Sequence, residues 1–155
     1  MKWPWRKKKP IYQPNEFHTI KRLEIFEKLQ CLWPKLSPSS VFMADETYVL
    51  PSRAEVEKAL QDSKIDKYVY TDELWDCDNY ALLLHAYVIR KRYEDFRKGK
   101  LAKEQCYSLA FGQIWTDIHA INIALTYDED ILLIEPQTDE IRKAEKELNI
   151  TFIRI

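Results

Sequence analysis

Three side chains could do chemistry together: the thiol of Cys77, the imidazole of His119 and the carboxylate of Glu135. A thiolate is a nucleophile, an imidazole can take the thiol proton, and a carboxylate can hold the ring in one orientation. Cys77 lies in the stretch Trp75, Asp76, Cys77, Asp78, Asn79, Tyr80, Ala81. Asp76 is a good helix N-cap, which puts Cys77 at the first helical positions. Free backbone N–H groups and the helix dipole favour a thiolate there. Asp76 and Asp78 act in the opposite direction, because two carboxylates beside a thiolate oppose its ionisation. An imidazolium or a bound cation would offset them.

The elements that must position these groups follow from periodicity. From Cys77 to about Arg97 there is no Gly or Pro, and apolar residues fall at 77, 81, 84, 88 and 89 with His85 on the same stripe. That spacing predicts a helix. His119 opens a β-like run to Thr126, Tyr127 to Asp130 makes a polar turn, and Ile131 to Ile134 is a second strand. A hairpin of this form brings Glu135 back beside His119, where it can bind the ring through Nδ1–H. Taken singly, each residue has a plainer reading: Cys as core, His as a structural strand residue, Glu as a solvated strand end. The conjunction and the chain order Cys, His, acid favour a site.

The motifs Asp-Cys-Asp-Asn-Tyr-Ala (76–81), His-Ala-Ile-Asn (119–122) and Ile-Glu-Pro-Gln (134–137) also resemble a known family. It is the papain-like protease domain attached to a fungal galactose-binding agglutinin, with relatives in bacteria and phages. More loosely, the chain is similar to bacterial transglutaminase-like cysteine proteinases. The resemblance covers roughly residues 48 to 137. It implies Cys77 as nucleophile, His119 as general base, Glu135 as orienting acid, peptide-bond hydrolysis through a thioester, and calcium dependence. Asp76 and Asp78 are the local metal candidates. The expectation is thus a cysteine hydrolase acting on a peptide or protein substrate. The alternatives are a transglutaminase or amidase, a catalytically weak structural or assembly protein, phage-derived, that docks through its N-terminal arm, and a plain binding module.

The papain pattern is not complete. No Gln precedes Cys77 to serve an oxyanion hole. A backbone N–H at Cys77 or Asp78 is one substitute donor, and the hydroxyls of Tyr68 or Tyr70 are others. Trp115 is a candidate cleft wall. Asn122 and Gln137 recur in the resembling motifs without an assigned role.

The remaining chain frames an α+β expectation: a papain-like core with the Cys77 helix packed on an antiparallel sheet of about four strands. Residues 1–14 form a basic arm rich in Pro and Trp, a docking tail for an acidic partner. Residues 15–40 read as an attachment helix from Asn15 to Leu32, with a stripe of Phe17, Ile20, Leu23, Phe26 and Leu29, followed by a Pro/Ser loop. Residues 41–155 read as the papain-like domain. Within it, Ser52 and Glu55 form a capping box. A short strand is placed at Tyr68 to Tyr70 and another at Cys106 to Trp115, with Gly112 as a bulge. Thr138 to Leu148 reads as a charged helix and Asn149 to Ile155 as a closing strand.

Net charge is −1, so there is no bulk electrostatic case for nucleic acid. Three widely spaced cysteines argue for reduced thiols and a cytoplasmic setting, with virion association as an option. No apolar run reaches the roughly 18 residues that suggest a membrane span, and no apolar segment follows the basic N-terminus as in a secretory signal.

Overall fold

The computed structural model describes residues 17–155. The basic arm at 1–14 and the proposed cap at Asn15 lie outside the described residues.

Among the described residues, two sheets and three α-helices make up the fold. Strands β1 (Thr19–Lys21), β3 (Thr47–Val49) and β4 (Ser108–Leu109) form a small sheet in the order β1-β3-β4. The larger, six-stranded sheet contains β2 (Val41–Phe42), β5 (Phe111–Thr116), β6 (Ala120–Thr126), β7 (Asp130–Glu135), β8 (Glu140–Lys143) and β9 (Ile150–Arg154). Its order is β2-β9-β5-β6-β7-β8. The β2–β9 and β3–β4 pairs are parallel and the others antiparallel. The expected papain-like core with about four antiparallel strands is therefore corrected to a mixed, sheet-rich arrangement. Pairings between distant segments, such as Val41 with Ile153, account for the extra strands, and local patterning does not reveal them.

The large sheet is covered on both faces. One core gathers Ile121, Ile123, Leu125, Ile131 and Leu133 with Ile25 and Leu29 of α1 (Arg22–Leu32). The other gathers Ala124, Leu132 and Ile134 with Val56 and Leu60 of α2 (Arg53–Ser63) and Tyr80, Leu84 and Val88 of α3 (Cys77–Arg97). Every residue of β6 is consequently buried. Successive side chains of a strand face opposite layers, so burial on both faces requires a continuous apolar run.

Local signals explain the helices that match expectation. The Ser52 hydroxyl accepts from Glu55 N–H at 3.1 Å while the Glu55 carboxylate accepts from Ser52 N–H at 2.7 Å, closing the capping box of α2. Asn79 returns its side-chain oxygen to Asp76 N–H at 3.2 Å and helps to start α3.

Other expectations change. The first helix starts at Arg22, because Thr19 to Lys21 pair with β3 instead. Its buried stripe runs through Ile25 and Leu29, while Leu23 is 65% exposed. Ile20, Trp33 and Leu36 contribute to the first core as well. Tyr68 to Tyr70 form no strand; the neighbouring bridge is Thr71 with Trp75. The Cys106 to Trp115 strand is two pieces in two sheets, β4 and β5.

Gly112 is not a bulge; the register shifts at Trp115/Thr116. A side chain at 112 would run into the Arg154 carbonyl of β9. The charged helix expected at 138–148 is β8 followed by irregular chain: Ile141 pairs with Ile134 at the sheet edge, and that pairing overrides the helical composition.

Candidate functional site

Helix α3 carries Cys77 to the start of β6. The Asn122 side-chain amide donates to the Ala81 carbonyl at 2.8 Å and to the Gly112 carbonyl at 2.9 Å. Further along, the His85 ring lies 6.1 Å from that of Phe111, whose strand partner is Ala124. Positions 81 and 85 thus track 122 and 124, so α3 and β6 run in the same direction. The first turn of α3 lies toward the His119 end of the strand.

His119 is set by a tight turn. Its N–H donates to Thr116 Oγ1 at 3.1 Å, and its carbonyl accepts from Thr116 N–H at 2.8 Å. Glu135 ends β7, one residue past the Asn122–Ile134 pair. The hairpin brings His119 Nε2 within 2.6 Å of Glu135 Oε2. The sequence reading expected this contact through Nδ1, and the structure makes it through Nε2. A carboxylate can only accept, so Nε2–H donates and the neutral ring keeps its lone pair on Nδ1. Glu135 Oε1 also accepts from Gln137 N–H at 3.3 Å. Glu135 is mostly shielded, while the His119 side chain is 38% exposed. Cys77 is half-buried. Among the described residues, no hydrogen bond joins Cys77 to His119.

The other candidates separate clearly. Asn122 is fully buried and clamps α3 to β5 and β6, so its amide is not available to a ligand. Gln137 contributes its backbone N–H to Glu135. Trp115 packs on Phe152, with ring centroids 5.4 Å apart. Tyr68 and Tyr70 are exposed. The Tyr68 ring lies 4.9 Å from Trp75, and Trp75 lies 5.8 Å from Tyr80 in an edge-on arrangement. Tyr80 fixes this group by donating its hydroxyl to the Tyr68 carbonyl at 2.7 Å.

Among the described residues, two buried polar atoms here have no hydrogen-bond partner: Trp75 Nε1 and Asp76 Oδ1. The carboxyl of Asp76 is held above the usual carboxylate range by a hydrogen bond to Asp78, then by burial and by the Asp78 charge. The exposed Tyr70 hydroxyl is pushed up by desolvation and by the acidic residues around it.

Among the described residues, no group of three His, Cys, Asp or Glu side chains is placed to hold a metal ion.

Residues 48–141 match the family described as agglutinin C-terminal. The chain belongs to that family. Two solved structures share its fold. One, described as "PSL1a-E64 complex", is 17% identical with a TM-score of 0.71, over 88% of this chain and 50% of that one. The other is the lectin of Polyporus squamosus bound to the human-type influenza-binding epitope Neu5Aca2-6Galb1-4GlcNAc. It is 15% identical with a TM-score of 0.69, over 88% of this chain and 49% of that one. At such identities the likeness shows the fold. The chain spans about half the length of these structures. A search of curated proteins gives no match.

These findings overturn the assignment to papain-like or transglutaminase-like cysteine peptidases. The matching family is described as agglutinin C-terminal, and the shared fold is found in about half of a lectin chain. The readings as thiol protease, hydrolase and enzyme are corrected with it, as are the alternatives of assembly protein, transglutaminase and amidase. A peptide or protein substrate has no support in these matches. The resemblance to a domain carried by a fungal agglutinin coincides with the family match over residues 48–141; the peptidase chemistry attached to it is what is corrected. Among the described residues, no helix is long and apolar enough to cross a membrane.

Proposed function

We propose that this chain is a carbohydrate-recognition module of the agglutinin kind, with its ligand surface at the head of α3. The observation that carries the reading is the family match over residues 48–141, joined to a fold shared with a lectin holding a sialylated trisaccharide. The physical support is local. Tyr68, Tyr70 and Trp75 offer aromatic faces of the kind that stack on the C–H face of a sugar ring. Trp75 Nε1 and Asp76 Oδ1 lie buried beside these rings with no hydrogen-bond partner among the described residues. Aromatic walls with a few convergent polar groups are the usual make-up of a small-ligand site. The test is calorimetric titration of the full chain with Neu5Aca2-6Galb1-4GlcNAc. Saturable binding that falls at least tenfold in Tyr70→Ala is expected; binding unchanged by that substitution would place the ligand elsewhere.

Cys77, His119 and Glu135 are proposed as one polar centre on this surface. The 2.6 Å bond between His119 and Glu135 favours it, with the shared direction of α3 and β6. Cys77 stands at the N-terminus of α3, and Nδ1 is the His119 ring atom not engaged by Glu135. E64, the compound named with PSL1a, is the probe. Cys77 is expected to be modified at least tenfold faster than the exposed Cys31 and Cys106, and to lose that advantage in His119→Ala. Equal rates at all three thiols would remove Cys77 from the site.

A further inference from the structure

A second concavity lies at the other end of α3. It has a volume of about 430 Å³ and is walled by Val88, Leu109 and Phe111. Phe42 and Ile89 line it while remaining 52% and 58% exposed, so its mouth is apolar as well. Among the described residues, His85 and Arg154 in this lining make no side-chain hydrogen bond or ion pair. His85 is 8% exposed and lines the cavity, yet among the described residues nothing hydrogen-bonds its ring. Arg154 also lines it and makes no ion pair among the described residues. The other charges there are engaged. Arg92 donates to the carbonyls of Gln105 and Tyr107, and Asp45 accepts from the Ser108 hydroxyl at 2.7 Å.

We propose that this cavity binds a small amphipathic carboxylic acid, with its hydrocarbon body against Val88, Leu109 and Phe111 and its carboxylate on Arg154. The walls exclude a strongly hydrated ligand, because burying hydroxyls among them would leave those hydroxyls unpaired. Arg154, which among the described residues makes neither an ion pair nor a side-chain hydrogen bond, selects an anionic head, and a guanidinium matches a carboxylate with two parallel hydrogen bonds. His85 supplies one further hydrogen bond beside the head. A body of about a dozen carbons suits a cavity at the lower end of the size range of small-ligand sites. The surface at the head of α3 is separate and carries different chemistry.

The test uses the full chain titrated with dodecanoate and with dodecanol, both below their aggregation limits, by calorimetry and amide NMR. Dodecanoate is expected to bind saturably, with shifts centred on Val88, Leu109 and Phe111. Arg154→Gln is expected to weaken dodecanoate about tenfold and leave dodecanol unchanged. His85→Phe keeps a ring in place and is expected to weaken dodecanoate while circular dichroism stays that of the wild type. The proposal is overturned if dodecanoate does not bind saturably, if Arg154→Gln binds it as well as the wild type, or if the shifts map to residues 68–80.

Discussion

Asn122→Asp exchanges one NH2 group for an oxygen and keeps the shape of the side chain. In the wild type that NH2 donates to the Ala81 and Gly112 carbonyls at 2.8 and 2.9 Å, inside a fully buried site. In the variant, acceptors face acceptors. Stranding a buried polar group costs about 1–3 kcal/mol, and two carbonyls are affected together with the new carboxyl. The expected loss is about 3–5 kcal/mol, allowing for protonation of the aspartate. Asn122→Leu removes the same donors and also the wild-type Oδ1, which has no partner, so its loss should be smaller, about 1–2 kcal/mol. Urea unfolding measures both, and calorimetry should show a fall in Tm of about 10 °C for Asn122→Asp. A change below about 0.5 kcal/mol in Asn122→Asp would refute the clamp that aligns α3 with β6.

Other outcomes follow from the same packing. Gly112→Ala pushes a methyl group into the Arg154 carbonyl, so β5 and β9 must separate, with a loss of about 3 kcal/mol or more in urea unfolding. His85 has its pKa lowered to about 4, first by burial and then by the charge of Arg154. Its folded pKa lies below the unfolded value, so its neutral form stabilises the fold above pH ~6.5. That stability is lost as pH falls from ~6.5 toward 4, by about 3 kcal/mol in all. His85→Phe should flatten that part of the stability–pH curve, and an unchanged slope would show that other groups produce it. In the E64 experiment, Glu135→Gln should slow modification of Cys77 less than His119→Ala, because the amide can still hold Nε2 of the ring.

Local chemistry made α2, α3 and the β6–β7 hairpin legible in the sequence. Ser52 with Glu55 marks a helix start, the run from Cys77 to Arg97 lacks breakers, and Tyr127 to Asp130 is a polar turn between apolar runs. The proximity of His119 and Glu135 follows from the same hairpin. Sheet order was not legible, because it depends on partners far apart in the chain. Thr19 to Lys21 look like helix until β3 is beside them, and Glu140 to Lys143 look like helix until Ile141 meets Ile134. The role of Asn122 was hidden for the same reason: its two acceptors lie 41 and 10 residues away. The unpartnered Trp75 Nε1 and Asp76 Oδ1 have no sequence signature, and the cavity beside His85 is assembled from segments between Phe42 and Arg154.

The most direct test of the account is a residue-resolved amide NMR titration of the full chain with Neu5Aca2-6Galb1-4GlcNAc. The account predicts saturable shifts at Tyr68, Tyr70, Trp75 and Cys77 and at the neighbouring His119 and Glu135. An absence of shifts, or shifts confined to residues far from the head of α3, would contradict carbohydrate recognition at this surface.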